Sequence, residues 1–146
     1  GMLAERWRRR AHRARRARQV AHVHHRLPRA AAIPRAARGL HRGAPAQTPE
    51  QLMRSRYSAY VLGLTDYLLA TWHAGTRPAA ETLVMDKRLR WLGLEIRNAK
   101  ATGPDRAQVE FIATYKDGGF PAQRLHECSD FILENGRWFY LSGTFR

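Results

Sequence analysis

Apolar positions over residues 47–146 follow a helical period first and a strand period afterwards. Thr48-Pro49-Glu50-Gln51 has the form of a capping box, with Thr as N-cap, Pro at the first helical position and Gln at the third. A helix is predicted from there to about Leu62, with Gly63 as its stop. At about 100° per residue, Met53, Tyr57, Tyr60, Val61 and Leu64 share one stripe, Arg56 lies at its edge, and Arg54 and Ser58 turn away. Thr65 and Asp66 open a second, short helix, with Asp66 well placed for the helix dipole. It buries Leu68, Leu69 and Trp72 and ends by Gly75. Over residues 76–89 Pro78 argues for a loop, and Leu83-Val84-Met85 reads as a short edge strand.

From Arg90 the period shortens to two. Strands are predicted from Trp91 to Asn98, from Gln108 to Tyr115, from Gln123 to Glu134 and from Arg137 to Ser142. Gly103-Pro104-Asp105 and Asp117-Gly118-Gly119 turn the chain, and Asn135-Gly136 is the signature of a two-residue type I′ hairpin. That turn sets a register: Glu134 with Arg137, Leu133 with Trp138, Ile132 with Phe139, Phe131 with Tyr140. One face of the hairpin then carries Phe131, Leu133, Trp138 and Tyr140, and the other carries Ile132 and Phe139. An antiparallel sheet normally wets one face. Two apolar faces therefore call for two covers: the helices on one side, and a second copy or a ligand on the other. The expected fold class is α+β, helices on a curved antiparallel sheet.

Charge divides the chain again. The formal charge is +14. Residues 1–46 hold thirteen Arg against one acid, Glu5, whereas residues 47–146 hold thirteen Lys and Arg against eleven acids. The chain thus reads as a basic tail, 1–46, on a nearly neutral domain, 47–146, with order beginning near Thr48. Gly1-Met2 has the form of a tag scar before a native start. The tail is not a secretory signal, since Gln19 to His25 has no continuous apolar core, and its lack of Ser argues against a mitochondrial presequence. The dense arginine run from Arg6 to Arg18 attracts polyanions without sequence preference, and Trp7 adds one stacking group. Nucleic acid is accordingly a candidate partner of the tail, against a plainer reading as a self-repelling arm. His12, His22, His24, His25 and His41 also lie here, but no acid or Cys stands beside them to complete a metal site, so no metal is expected. A lone cysteine, Cys128, excludes an internal disulfide framework and, without an export signal, favours the cytoplasm. The longest apolar run, Tyr57 to Trp72, is broken by Asp66 and is too short to span a bilayer.

Two helices followed by a curved antiparallel sheet resemble the nuclear transport factor 2-like cone. Five ordered blocks resemble the YchJ-like, SEC-C-associated family more closely: Leu52 to Tyr60 with Tyr67 to His73, Arg90 to Ile96, Val109-Glu110-Phe111, Leu125-His126-Glu127, and Gly136 to Tyr140. The resemblance covers about residues 43–146. It implies a neighbouring SEC-C motif, a zinc-binding Cys-x-Cys-x8-Cys-Cys/His element expected between about residues 20 and 40, where this chain has no cysteine. Zinc is therefore not carried over. His41, Gly43, Ala44 and Pro45 still resemble the family's junction, and the Arg, Ala, His and Pro before them are residues of GC-rich codons. The abrupt change at residue 41 reads as an out-of-frame or misassigned start over a lost zinc motif. The resemblance implies a fold and no reaction.

Cones of this class hold a pocket between helices and concave sheet. Tyr57, Tyr60, Trp72, His73, Trp91, Glu110, Phe111, His126, Glu127 and Trp138 are the candidates to line it, although an aromatic stripe at helical spacing is more often core. Enzymes of the cone, similar to ketosteroid isomerase or scytalone dehydratase, need a base lifted by burial and an oxyanion donor opposite it. His73, His126 and the glutamates are the available pieces. Alternation puts His126, Cys128 and Asp130 on one face of the third strand, and Glu127 and Ser129 on the other. His126 and Asp130 are roughly 13 Å apart, too far for a dyad, and His126 and Cys128 about 7 Å. Cys128 reads as core filler, and His73 as a helix cap. The leading expectation is a non-enzymatic small-ligand-binding or protein-interaction module, a homodimer through its sheet face, with a small apolar ligand and no cofactor. A lyase or isomerase using His73 or His126 with a Glu comes second, and an RNA-associated protein acting through the tail third.

Overall fold

The computed structural model describes residues 33–146. Helix α1 spans Arg35–His41, α2 Pro49–Leu62 and α3 Thr65–Ala70; a 3-10 turn, Ala80–Thr82, precedes strands β1 Leu89–Gly103, β2 Arg106–Asp117, β3 Gln123–Glu134 and β4 Arg137–Phe145. The strands form one antiparallel meander in the order β1-β2-β3-β4, and α2 lies across β1, β2 and β4. The fold is an α+β cone. No helix among the described residues is long and apolar enough to cross a membrane.

Helix α2 forms where its caps predict. Thr48 Oγ1 accepts the Gln51 N–H at 3.1 Å, and Gln51 Oε1 accepts the Gln47 N–H at 3.0 Å. At the other end Gly63 takes φ 72°, the left-handed conformation that costs glycine least, and the Leu64 N–H returns to Ala59 O at 2.8 Å. Its buried face is broader than one stripe: Leu52, Met53, Ser55, Arg56, Ser58, Ala59 and Tyr60 are buried, while Tyr57 and Val61 are half-buried. The reason is a second cover. Helix α1 also packs on α2, with His41 reaching the Ser55 carbonyl.

That helix corrects the expected onset of order near Thr48. Ala37 and Leu40, three positions apart, are its buried residues. His41 donates through Nε2 to the Ser55 carbonyl at 2.8 Å and sits edge-on to Tyr67, with centroids 4.7 Å apart. Residues 35–46 thus belong to the folded domain; Trp7, the Arg6–Arg18 run and the other four tail histidines lie outside the described residues. Leu83-Val84-Met85 is not a strand either: Leu83 tucks into the core at 4% exposure while Val84 stands out at 55%.

The hairpin adopts the predicted turn, with Asn135 at φ 52° and Gly136 at φ 76°, and all four predicted pairs form. The strands run longer than predicted, because a meander propagates pairing past the apolar stretches. Beyond Phe131 the register shifts, so that Leu141 is an extra residue in β4. The edge of β4 is occupied: the Tyr140 N–H donates to Thr71 O, and the His73 N–H to Tyr140 O, both at 2.8 Å.

The inner face of the sheet carries Val109, Phe111, Ala113, Tyr115, Leu125 and Phe131, which with Leu52, Met53, Tyr60, Leu68 and Trp72 form the core. The outer face departs from the two-apolar-faces expectation. Ile132 and Phe139 are half-buried near the hairpin and Ile112 and Cys128 are buried further along, but polar side chains surround them and pair with one another across this face. Gln108 donates to Asp130 at 2.9 Å, His126 and Glu110 meet at 2.8 Å, and Glu95 takes Arg97 at 2.8 Å and Arg124 at 3.6 Å. Such a surface is stable in water, and the demand for a cover shrinks to the hairpin end.

Candidate functional site

The predicted pocket residues divide into three groups. Tyr60, Trp72, Phe111 and Glu127 are buried in the helix–sheet interior, with Tyr57 and Trp91 packed against that core. His73, His126 and Glu110 are at the periphery. Trp138 lines a cleft elsewhere. Structure therefore brings Tyr60, Trp72 and Glu127 together and separates them from both histidines.

The interior group is organised by Arg56, which lies at the edge of the sequence stripe and is only 1% exposed. Nη1 donates to Leu68 O at 2.8 Å and to Thr71 Oγ1 at 2.7 Å. The guanidinium carbon stands 4.5 Å from the Tyr140 ring centroid and 5.1 Å from that of Trp72, two cation–π contacts in a desolvated setting. Burial pulls its pKa below the ordinary arginine value, opposed by the fields of Tyr60, Tyr140, Tyr67 and Glu127; a guanidinium stays charged regardless. The Tyr60 hydroxyl is pushed up to about 12, chiefly by burial, with Arg56 opposing. Glu127 is fully buried in the same interior and directly opposite Phe145 in β4. Gly143 makes room for it: a Cβ there would run into the Glu127 carboxylate and would stand 3.1 Å from the Tyr140 hydroxyl. Nothing in the residue pattern singled out Arg56, Tyr140 or Gly143; an arginine bordering an apolar stripe was the one available signal.

Both histidines hold glutamates at the surface. His73 accepts the Gly75 N–H through Nδ1 at 3.0 Å and donates through Nε2 to Glu134 at 2.7 Å, so its tautomer is set. His126 meets Glu110 through Nε2 on the outer sheet face, with side-chain exposures of 36% and 29%. Neither pair opens on the helix–sheet interior. Among the described residues no group of three His, Cys, Asp or Glu side chains is placed to hold a metal ion, and Cys128 is buried in β3.

The cleft has a volume of about 380 Å³. One wall is the end of α1 and the loop after it, Leu40 to Ala46; another is α3, from Asp66 to Thr71; the third is the start of β4, Arg137 to Phe139, with Leu52 of α2 behind. Gly43, at φ 109°, turns the chain between α1 and α2, and the Gly43 and Ala44 N–H groups close back on Leu40 O and Gly39 O at 3.0 and 3.2 Å. The walls are tied together below. Ser55 Oγ donates to Leu52 O at 2.7 Å, so at 2.6 Å the Tyr67 hydroxyl must donate to Ser55. Burial pushes the Tyr67 hydroxyl pKa up. Thr71, at the cleft wall, receives the Arg56 hydrogen bond from the interior. His41, Gly43, Ala44 and Pro45 resemble the family's junction, yet nothing local marked them as a binding surface.

Residues 48–143 match the family described as YchJ, middle NTF2-like domain. The chain belongs to that family. A UPF0225 protein of Methylibium petroleiphilum is 59% identical over 99 residues, covering 68% of this chain and 71% of the relative. Two solved structures are similar. A SEC-C motif-containing protein from Rhodopseudomonas palustris has a TM-score of 0.64 and 33% identity, covering 75% of this chain and 87% of its own. A SEC-C motif-containing protein from Psychrobacter arcticus has a TM-score of 0.61 and 29% identity, covering 87% of this chain and 77% of its own. The YchJ match begins at the Thr48 cap and takes in α2, α3 and the sheet nearly to its end. Helix α1 and the loop forming the first cleft wall lie before the matched residues.

Proposed function

We propose that this YchJ-family domain is a non-enzymatic binding module whose recognition surface is the cleft between the α1–α2 corner, α3 and the start of β4. The observation that carries the reading is that the predicted acid–base groups, His73, His126, Glu110 and Glu127, all lie outside the lining of the cleft. His73 and His126 are each satisfied by a surface glutamate, and the buried Glu127 and Tyr60 are packed among core side chains. General acid–base work needs a base within hydrogen-bond reach of a bound substrate. Of the cleft's own titratable side chains, His41 is spent on the Ser55 carbonyl and Asp66 stands exposed on the rim. The cleft is of small-ligand size, mixed apolar and polar, and walled by elements that hydrogen bonds hold in place. The lone buried cysteine suits a reducing compartment, and the cytoplasm is part of the proposal.

Amide chemical shifts of the ¹⁵N-labelled chain, titrated with a fragment set of aromatic and aliphatic acids and amines, test it. Shifts concentrated in residues 40–46, 66–71 and 137–139, and lost when Ala70→Trp fills the exposed rim, support the reading. Fragments that instead gather around His126 on the outer face, or that ignore Ala70→Trp, overturn it.

A further inference from the structure

We infer that the cleft takes single-stranded nucleic acid, with a base against Trp138 and the flanking phosphates on Arg42 and Arg137; this rests on the cleft being the recognition surface. Both arginines are exposed at its rim, and neither makes a side-chain hydrogen bond or ion pair among the described residues. Trp138 is half-buried and lines the cleft from the start of β4. Aromatic faces beside guanidinium groups are the arrangement that binds unpaired bases and their backbone without sequence readout. A cleft of about 380 Å³ has room for a base and its sugar and excludes a duplex.

Two further observations favour this occupant over an acidic peptide. An extended peptide gains most of its affinity by adding a strand to a free sheet edge, and the β4 edge is already taken at Tyr140, next to the cleft, by Thr71 and His73. The sequence before the domain is cationic too: residues 1–32 hold ten Arg against Glu5 alone. One acid, Asp66, also lies on the rim and opposes anions.

Fluorescence anisotropy of the full chain decides the matter, using a labelled oligouridylate of about ten nucleotides and, in parallel, an oligoglutamate of equal charge. The oligouridylate is expected to bind more tightly. The exposed pair Arg42→Glu with Arg137→Glu should lower its affinity at least tenfold and reduce the slope of log affinity against log salt by about 1.4, for two lost phosphate contacts. Trp138→Leu should lower affinity about tenfold with the slope unchanged, and Asp66→Asn should raise it severalfold. Thermal melts confirm that each variant folds; where Trp138→Leu does not, the arginine pair and Asp66→Asn decide. Affinity indifferent to the arginine pair, or a preference for oligoglutamate, overturns the inference. If fragments shift the cleft amides while the oligouridylate ignores the cleft variants, the ligand class falls and the binding module stands; if neither reaches the cleft, both fall.

Discussion

Gly143 shows how much a single methyl group decides here. Its backbone sits against the carboxylate of Glu127, which is fully buried beside Phe111 and Phe145 in a densely packed interior. The obstacle to a larger residue is the carboxyl end of a buried side chain, whose retreat means losing the position it holds near Arg56 and Tyr140. Gly143→Ala is expected to lower stability by about 2 kcal/mol, as overpacking of a filled core does. Introduced on top of Glu127→Ala, the same change should cost less than about 1 kcal/mol, since the obstructing group is gone. Urea unfolding of the four proteins in this cycle gives the coupling; equal costs in the two backgrounds would show that Glu127 is not what Gly143 accommodates. Arg56 illustrates the complementary case. A charge enters the core because Leu68 O, Thr71 Oγ1 and two aromatic faces replace its water, and none of those partners is adjacent to it in sequence.

Among the elements, α1 is the one whose presence the residue pattern hid. Seven residues are too few to be stable alone in water, no side chain caps its start, and only Ala37 and Leu40 are buried. It exists because Ala37 and Leu40 find a face on α2 and because His41 reaches Ser55. A chain beginning at Gln47 is therefore expected to be less stable than one beginning at Ile33, by roughly 2–4 kcal/mol for the lost burial. Denaturant midpoints of the two truncations measure it, and coincident midpoints would mean that α1 contributes nothing. Helix α2 and the β3–β4 hairpin behave differently. Their ends are set by neighbours in sequence, Thr48 with Gln51 and Asn135 with Gly136, so both were readable with their registers.

For the whole molecule, the packing of tyrosine hydroxyls into the interior couples stability to alkaline pH. Tyr60 is held protonated up to about 12 by burial, against an ordinary value near 10. Above about pH 10 the unfolded chain gives up a proton that the native chain keeps. Its deprotonation favours unfolding, so the stabilising increment is fully present below the unfolded value, shrinks as pH rises, and is gone above about 12. Tyr57 is likewise raised to about 12 by burial, but it is only half-buried, so solvent reduces its share. The urea midpoint should fall between about pH 10 and 12, and Tyr60→Phe should flatten that fall; a profile identical to that of the unsubstituted chain would refute the assignment.

What the sequence by itself determined was everything carried by neighbours a few positions apart. The start and stop of α2, the third strand from Gln123 to Glu134, the type I′ turn, the four cross-strand pairs and the opposite facing of Glu127 and His126 all follow from cap chemistry, turn chemistry and a period of two. The tertiary structure alone decided which face of α2 is covered twice, that Arg56 is core, that the histidines spend their hydrogen bonds on surface glutamates, and that the α1–α2 corner, α3 and β4 enclose a cleft. Each of these depends on groups distant in the chain, His41 with Ser55 or Thr71 with Tyr140. Local periodicity reports a residue's direction relative to its own element, and only packing sets what lies in that direction.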